Sequence, residues 1–337
     1  MCAPAGGANL APRRGNPRPR AEPKGVCLSD APFAAILASI RQRGVGLYLR
    51  GVAMGAADVI PGVSGGTIAL VTGIYDELVG TIAGVNADVM RSLAGRRWGE
   101  TLVRVNVGFL APLLLGIGTA IVALARIILY MMETHPRPVW GFLTGLILAS
   151  ALVVARHMGG RASAGAAAVL AGAALGYGVT LLVPLETGVE WWKFILAGSI
   201  ASVAMILPGI SGSFLLVLMG KYQQVLAAVN ERNPVVVVLF GVGFVAGILA
   251  FSRVLKRLLA RHHATTMAFL VGLMLGSLRK VWPFRQYSAA DGGETYSCAL
   301  PESLDGDVLS TIAMMAIGIV AVLAIERVGR AKVSPSD

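Results

Sequence analysis

The sequence predicts an all-α polytopic membrane protein made of two inverted repeats, each a re-entrant helical hairpin followed by three transmembrane helices. Three observations support this: long apolar runs, two matching Pro-Gly-X-Ser-Gly breaks, and basic residues concentrated in alternate loops. Of the 337 residues, 55% are hydrophobic and only 14% are charged. A typical soluble domain carries about 25% charged residues. The mean hydropathy of +0.72 also favours a membrane protein.

Six apolar runs approach or exceed the length that a transmembrane helix needs, about 20 residues. They cover residues 105–131, 139–155, 163–184, 235–255, 267–284 and 308–325. Two further apolar stretches, 48–85 and 191–229, are each interrupted near the middle by Pro-Gly-X-Ser-Gly. The arm 49–60 would be only about 18 Å long, against a bilayer core of about 30 Å. Each stretch is therefore predicted to be a re-entrant hairpin of two half-helices.

Charge predicts the orientation. If the N-terminus is cytoplasmic and each hairpin returns to its own side, 21 of the 29 Lys and Arg residues lie in cytoplasmic segments and 7 lie outside. The remaining one, Arg126, falls within a span. This asymmetry follows the positive-inside rule and predicts that both termini are cytoplasmic. It also explains the net charge of +11 without a nucleic-acid partner.

The two halves of the chain match each other. "IPGVSGGTIALVTGIY" (60–75) aligns with "LPGISGSFLLVLMGKY" (207–222) at six of 16 positions, and "FLTGLILAS" (142–150) with "FLVGLMLGS" (269–277) at six of nine. The predicted organisation is a basic tail and entry segment (1–47), a first repeat (48–184), a second repeat (185–325) and a tail (326–337). An odd number of spans between the repeats would invert the second, an architecture found in secondary transporters.

The two tips are the first candidate binding site. Irregular backbone at membrane depth occurs only where protein buries it or where it lines a cavity, and the N–H groups at a helix start favour anions. The alternative is that the small residues only allow tight helix packing. The hairpin breaks are Pro61, Gly62, Pro208 and Gly209, and the predicted anion-binding residues are Ser64, Gly65, Gly66, Thr67, Ser211, Gly212 and Ser213.

Four charged residues near these elements have two interpretations each. Asp58 precedes the first break, and it is either a proton-coupling group, because intramembrane carboxylates are costly, or a helix-end hydrogen-bond acceptor. Met205 replaces it in the second repeat. Arg126 either pairs with a phosphate or with Asp58, or extends to the outer interface. Arg279 and Lys280 either attract a lipid phosphate or anchor the outer interface.

Other chemistry has little support. The three cysteines, Cys2, Cys27 and Cys298, are scattered and have no metal-site spacing, and the four histidines fall in predicted loops. There is no P-loop and no G-x-S-x-G element. The sequence thus predicts a non-enzyme with no metal and no cofactor.

The stretches "GAADVIPGVSGGTIALVTGIYDEL" (55–78) and "ILPGISGSFLLVLMGKY" (206–222) resemble a bacterial membrane family of polyprenyl-phosphate translocases, long catalogued as a domain of unknown function. The resemblance spans roughly residues 48–325. It implies a flippase of the bacterial inner membrane that returns undecaprenyl phosphate from the outer to the cytoplasmic leaflet. The family pattern falls on Asp58, Pro61, Gly62, Ser64, Gly65, Gly66 and Thr67, and on Pro208, Gly209, Ser211, Gly212 and Ser213.

This resemblance and the residue patterns together lead to one hypothesis. The phosphate is held by residues 64–67 and 211–213, Asp58 binds a proton, and the partners are the polyprenyl-phosphate lipid and the membrane. The main alternative is a secondary transporter of a small soluble anion. A lipid phosphatase and a structural membrane protein are further alternatives, and the sequence leaves the oligomeric state open.

Overall fold

The structure, a computed structural model, describes residues 31–59, 64–157, 162–182, 187–188, 190–290, 293–301 and 303–331. Within these ranges the chain forms thirteen α-helices and one two-stranded sheet. The mostly helical architecture confirms the predicted class, and the strands are an addition to it.

The first half of the chain contains eight helices. Their bounds are α1 (Ala31–Val59), α2 (Gly65–Val71), α3 (Tyr75–Ala83), α4 (Ala87–Ala94), α5 (Trp98–Arg104), α6 (Val107–Thr134), α7 (Pro136–His157) and α8 (Ala162–Leu181). The last three correspond, within a few residues, to the apolar runs predicted at 105–131, 139–155 and 163–184.

The second half contains five helices and both strands. Their bounds are α9 (Trp191–Ile206), α10 (Gly212–Leu218), α11 (Tyr222–Asn230), α12 (Pro234–Val281), β1 (Arg285–Ala290), β2 (Gly293–Cys298) and α13 (Gly306–Ala331). The 48 residues of α12 contain a break at His262, where φ is −136° and ψ is 49°. A helix of this length extends about 72 Å, more than twice the bilayer core, so α12 has room for the two runs predicted at 235–255 and 267–284.

Several helices can cross a membrane. Among the described residues, α6, α7, α12 and α13 have the required length and apolar composition, and the bent pair α10–α11, with an angle of 108°, is a fifth candidate. The apolar part of α8, Gly165–Leu181, and α9 are shorter. The predicted polytopic membrane protein is therefore confirmed at this level.

The limbs of the two predicted hairpins differ from the expected pairs of half-helices. α1 begins at Ala31, so the limb before the first tip is 29 residues long rather than the predicted 12-residue arm. After each tip the chain forms two short helices, not one. The bends fall at Gly73 and Gly220, which have φ of +70° and +63°. These glycines occupy matching positions in the aligned repeats, and only glycine adopts this backbone without strain.

The long helices pack in four main pairs: α1 with α6, α9 with α12, α7 with α13, and α8 with α12. Glycine permits the close approach. A Cβ at Gly51 of α1 would collide with the carbonyl of Leu113 in α6, and a Cβ at Gly243 of α12 would collide with that of Ile195 in α9. Small residues of this kind are typical of helix contacts in membranes, where van der Waals packing replaces the hydrophobic driving force.

The second matched block packs between the halves of the chain. Residues 142–150 lie in α7, where Gly145 faces Met315 of α13, and residues 269–277 lie in α12, where Gly272 faces Val169 of α8. The two copies therefore make corresponding contacts, each with the last long helix of the other half.

The open end of each hairpin is held by polar contacts. Arg43 of α1 forms a bidentate ion pair with Glu77 of α3, with N···O distances of 2.6 and 3.2 Å. Arg253 of α12 donates to the carbonyl of Val85, just after α3, at 2.6 Å. In the second hairpin, the fully buried Lys221 donates to the carbonyl of Gly188, just before α9. Both limbs of each hairpin thus meet at the end away from the tip.

The two strands correct the all-helical prediction. β1 and β2 pair antiparallel, with Arg285 opposite Cys298 and Ala290 opposite Gly293. These segments are short and polar and lack a strong alternation of apolar residues. The pattern that identifies half-buried strands is therefore missing from the sequence.

Candidate functional site

The tips of the two hairpins contact each other. The hydroxyl of Ser64 donates to the carbonyl of Met205 at 3.2 Å, and the backbone N–H of Gly209 donates to Oγ1 of Thr67 at 3.1 Å. Ser64 is 1% exposed and Thr67 is fully buried. Two segments about 140 residues apart in the chain therefore form one buried polar cluster.

Two further features bring the tips together, and sequence reasoning identified neither role. The Tyr75 hydroxyl donates to the carbonyl of Ile206 at 3.1 Å, although Tyr75 is only a repeated residue in the sequence match. Gly66 lies so close to the second tip that a Cβ there would be 2.8 Å from the Ile206 carbonyl oxygen. Repetition of the tyrosine in both motifs was the one available signal.

The first tip is closed by its own side chains. Oδ1 of Asp58 accepts from the N–H of Gly65 at 2.6 Å, and Ser64 Oγ accepts from the N–H of Gly66 at 3.1 Å. The N–H of Thr67 donates to the carbonyl of Ser64 at 2.9 Å. These contacts match the helix-end alternative for Asp58. The N–H groups predicted to face a bound anion are occupied in this conformation, and a carboxylate is already at the start of α2.

The second tip has no equivalent closure. Ser211 precedes α10 and makes no side-chain cap hydrogen bond, and its hydroxyl pairs with that of Ser213 at 2.8 Å. Gly209 has φ of +89° and lies against α12, while Gly212 lies against the backbone of Ala201 in α9. Met205, at the position matching Asp58, is 42% exposed. The matched tips thus differ: one contains a built-in carboxylate and the other has none.

Of the predicted hairpin breaks, Pro208 and Gly209 are buried between α9 and α10. Pro61 and Gly62 lie outside the described residues. Arg126 is on α6 with an exposed side chain, and the described contacts of the two tips do not include it. Its predicted role in phosphate binding stays a prediction.

A cavity of about 440 Å³ lies beside the first tip. Its walls come from α1, α2, α6, α7 and α13, and they include Ala57, Ile68, Leu124, Met131, Leu143 and Val322. Thr72 contributes the one polar side chain of this lining, and its hydroxyl already donates to the carbonyl of Ile68. Ala57 and Ile68 are the chain neighbours of Asp58 and Thr67, so this apolar cavity ends next to the polar tip. Its volume is within the range of small-ligand sites, about 300–1,000 Å³.

Metal chemistry has no support in the part of the chain that the structure describes. No group of three or more His, Cys, Asp or Glu residues there is arranged to hold a metal ion.

The fold is helical and polytopic, and its two broken segments meet at a buried polar cluster beside an apolar cavity. These features define the class: a polytopic membrane protein with a ligand-sized cavity. Comparison with known proteins gives the family. Residues 54–295 match the family model described as undecaprenyl phosphate translocase-like. This match covers both tips and most of the chain, and the protein belongs to that family.

Two curated relatives support this assignment. One is a polyprenyl-phosphate transporter of Vibrio cholerae, 44% identical over 239 residues, covering 71% of this chain and 78% of the relative. Another is a polyprenyl-phosphate transporter of Staphylococcus aureus, 32% identical over 254 residues, covering 70% of this chain and 85% of the relative. No solved structure gave a significant match.

Proposed function

We propose that this protein is a flippase that returns undecaprenyl phosphate from the outer to the cytoplasmic leaflet of the bacterial inner membrane. The observation that carries the proposal is the apolar cavity of about 440 Å³, whose lining includes Ala57 and Ile68, the chain neighbours of Asp58 and Thr67 at the first tip. A lipid phosphate needs both environments at once, one for its hydrocarbon chain and one for its charged group. The family assignment and the names of both curated relatives support the same substrate class.

The proposed architecture is two inverted repeats, each with a re-entrant hairpin. Three observations support it: the matched motifs, the tip-to-tip hydrogen bonds, and the polar contacts that close each hairpin at its far end. In this arrangement the first hairpin enters from the cytoplasm and the second from outside, with both termini cytoplasmic. Movement of one repeat against the other then alternates access to the tips.

Asp58 is the proposed proton-coupling residue. Its carboxylate accepts a hydrogen bond from the backbone N–H of Gly65, one of the groups proposed to hold the phosphate. A charged carboxylate there repels the phosphate, and protonation removes that repulsion. The phosphate is then held by residues 64–67 and 211–213. Proton uptake offsets part of the charge that crosses the membrane.

The apolar lining also discriminates between a lipid and a small soluble anion. A soluble anion needs a polar, hydrated pathway, because transfer of a charge into apolar surroundings costs several kcal/mol or more. Among the described residues, Thr72 is the one polar side chain of the cavity wall. The cavity therefore favours the lipid over the soluble-anion alternative.

Reconstitution tests the proposal directly. Liposomes containing undecaprenyl phosphate are treated on the outside with a phosphatase that does not cross the bilayer. Without a flippase only the outer leaflet, about half of the lipid in a large vesicle, is hydrolysed. With the protein we expect nearly complete hydrolysis, unaffected by excess glycerol 3-phosphate once the competition of this ester for the phosphatase has been corrected with detergent-opened liposomes. Hydrolysis that stops at the outer leaflet contradicts the proposal, and inhibition by the soluble phosphate ester favours the soluble-anion alternative.

A further inference from the structure

A lysine lies against the second tip, and the described part of the chain offers it no carboxylate partner. Lys280, at the end of α12, is half-buried, and its ammonium lies 4.1 Å from the ring centre of Phe214 in α10. Among the described residues no carboxylate is within ion-pair distance of it. Buried charges in proteins are normally paired, and an ionisable residue in a membrane segment indicates a functional site.

The neighbouring cations are engaged differently. Arg279 donates to the carbonyl of Thr180 at 2.9 Å, and Arg285 donates to the carbonyls of Trp282 and Lys280. These contacts fasten α12 to α8 and to the chain that follows α12. Lys280 instead points its ammonium toward the second tip, where the structure describes an aromatic ring as its contact.

The ammonium shares a crevice with hydroxyl groups. Lys280, Ser211, Ser277 and Thr180 line it together with Gly209 and Phe214. Ser211 and Ser277 are 5% and 3% exposed. The crevice has a volume of about 10 Å³, enough for about one water and too small for a phosphate monoester. Phe214 is in contact with the ammonium, so its ring has to turn away before a larger group enters.

The position of Lys280 is chemically specific to the second half. When the match between 142–150 and 269–277 is extended without gaps, Lys280 aligns with Val153, a buried apolar residue of α7. Conversely, Asp58 at the first tip aligns with Met205. One half therefore carries an acid at its tip and the other carries a base.

We propose that Lys280, with the hydroxyl of Ser211, forms a phosphate-monoester subsite at the second tip, the first site that the headgroup reaches from the outer leaflet. This inference rests on the proposed function for the direction of transport. The ammonium supplies three donors to the phosphate oxygens, and Ser211 supplies a further polar contact. The Phe214 ring covers the ammonium while the subsite is empty.

Binding of farnesyl phosphate to the purified protein in nanodiscs tests the subsite. We expect Lys280→Gln to weaken binding about tenfold or more, because it leaves a desolvated phosphate without its cation. Lys280→Arg keeps the charge and should bind within about threefold of wild type. The matched control is Lys193→Gln, because Lys193 already pairs with Glu190 at 2.7 Å and should not matter.

Three ligands separate the possible sources of the phosphate. Farnesol lacks the charged group and should not respond to the Lys280 substitution. Inorganic phosphate is the second ligand. If it binds wild type as tightly as farnesyl phosphate does, and if Lys280→Gln loses this binding, the subsite recognises the anion and the phosphate can come from a soluble compound. Anionic phosphatidylglycerol in the nanodisc should not compete, because it is a diester; full competition by it overturns the assignment to a monoester.

The two assays test the two proposals separately. If wild type and Lys280→Gln bind farnesyl phosphate equally, the subsite is overturned, and the proposed function stands as long as the liposome assay shows transport. If the liposome assay shows no transport by wild type, the proposed function is contradicted, and weaker binding by Lys280→Gln still supports a phosphate subsite. If Lys280→Gln does not fold, Ser211→Ala provides the readout, because it removes a polar contact and leaves the lysine in place. Wild-type affinity for farnesyl phosphate in Ser211→Ala then overturns the subsite.

Discussion

Asp58 and Lys280 distinguish the two otherwise matched tips. Asp58 accepts a backbone hydrogen bond at the start of α2, whereas Lys280 faces the start of α10 from a neighbouring helix. The first tip therefore contains an acid and the second faces a base. On the proposed route, an anion entering from the second tip would meet the ammonium of Lys280 first and the carboxyl group of Asp58 afterwards, and protonation of Asp58 would remove the repulsion.

Replacement of Asp58 by Asn tests the coupling. The amide oxygen of Asn can still accept from the Gly65 N–H, so we expect the stability to fall by only about 1 kcal/mol. The wild-type transport rate should depend on pH, whereas the rate of Asp58→Asn should not. Liposome transport measured across a pH series checks this.

The control for this substitution is Asp76→Asn. Asp76 lies at the open end of the first hairpin, exposed and 3.5 Å from His263, and it should retain the wild-type pH dependence. Normal, pH-dependent transport by Asp58→Asn would rule out the coupling role and leave Asp58 as a helix-end acceptor.

At the scale of elements, helix contact through glycine is the main packing device. α1 and α6 approach each other at Gly51 and Gly116, each of which faces the backbone of the other helix. This contact fixes the position of α1 against α6, and α1 leads directly into the first tip. The position of Asp58 is therefore set partly by residues two turns earlier in the same helix.

Gly51→Ala should separate α1 from α6. Overpacking of this kind costs about 1–3 kcal/mol, so we expect the thermal unfolding midpoint in detergent to fall by several degrees. Gly118→Ala on α6 is the matched control, because a Cβ there meets no atom within 4 Å. That substitution should change stability by no more than about 0.5 kcal/mol. Equal midpoints for both variants would show that the close contact at Gly51 is not needed.

The sequence predicts elements with a strong local signal and misses those without one. Apolar runs located α6, α7, α8 and α13 because the bilayer requires continuous hydrophobicity. The start of α1 at Ala31 was missed because Arg41 and Arg43 separate the apolar residues 31–40 from the apolar stretch that begins at Tyr48. The bend at Gly73 is visible as a glycine, but its left-handed conformation depends on packing that the sequence does not display.

The same distinction applies to the candidate site. The Pro-Gly-X-Ser-Gly motifs predicted which residues form the tips, because breaks inside apolar runs are rare. They left the role of Asp58 open between a proton-coupling group and a helix-end acceptor, and in the structure its carboxylate accepts from the Gly65 N–H. They did not predict that Lys280 would face the second tip, because that depends on which helices pack together and a single sequence carries little information on it.

At the scale of the whole molecule, the orientation gives a prediction that needs no transport assay. Cys298 is exposed, and if both termini are cytoplasmic, as we propose, the segment that contains it lies on the outer side. In a Cys2→Ser, Cys27→Ser background, we expect a membrane-impermeant maleimide to label Cys298 in intact spheroplasts.

The inside control for this experiment is Glu100→Cys in a variant that lacks the three native cysteines. Glu100 is exposed on α5, in a segment predicted to be cytoplasmic, so labelling should require permeabilised cells. If Cys298 were labelled only after permeabilisation, the orientation would be reversed and the proposed direction of entry with it.

The pairing of α7 with α13 and of α8 with α12 has a consequence for how the protein is made. Both first-half helices leave the ribosome well before their partners, and the glycine-lined surfaces at Gly145 and Gly172 or Gly176 stay covered only by lipid in the meantime. The contact between α7 and α13 can form only when this last helix has been inserted. We therefore expect a chain truncated before α13 to expose the Gly145 surface of α7 and to be less stable than the full-length chain.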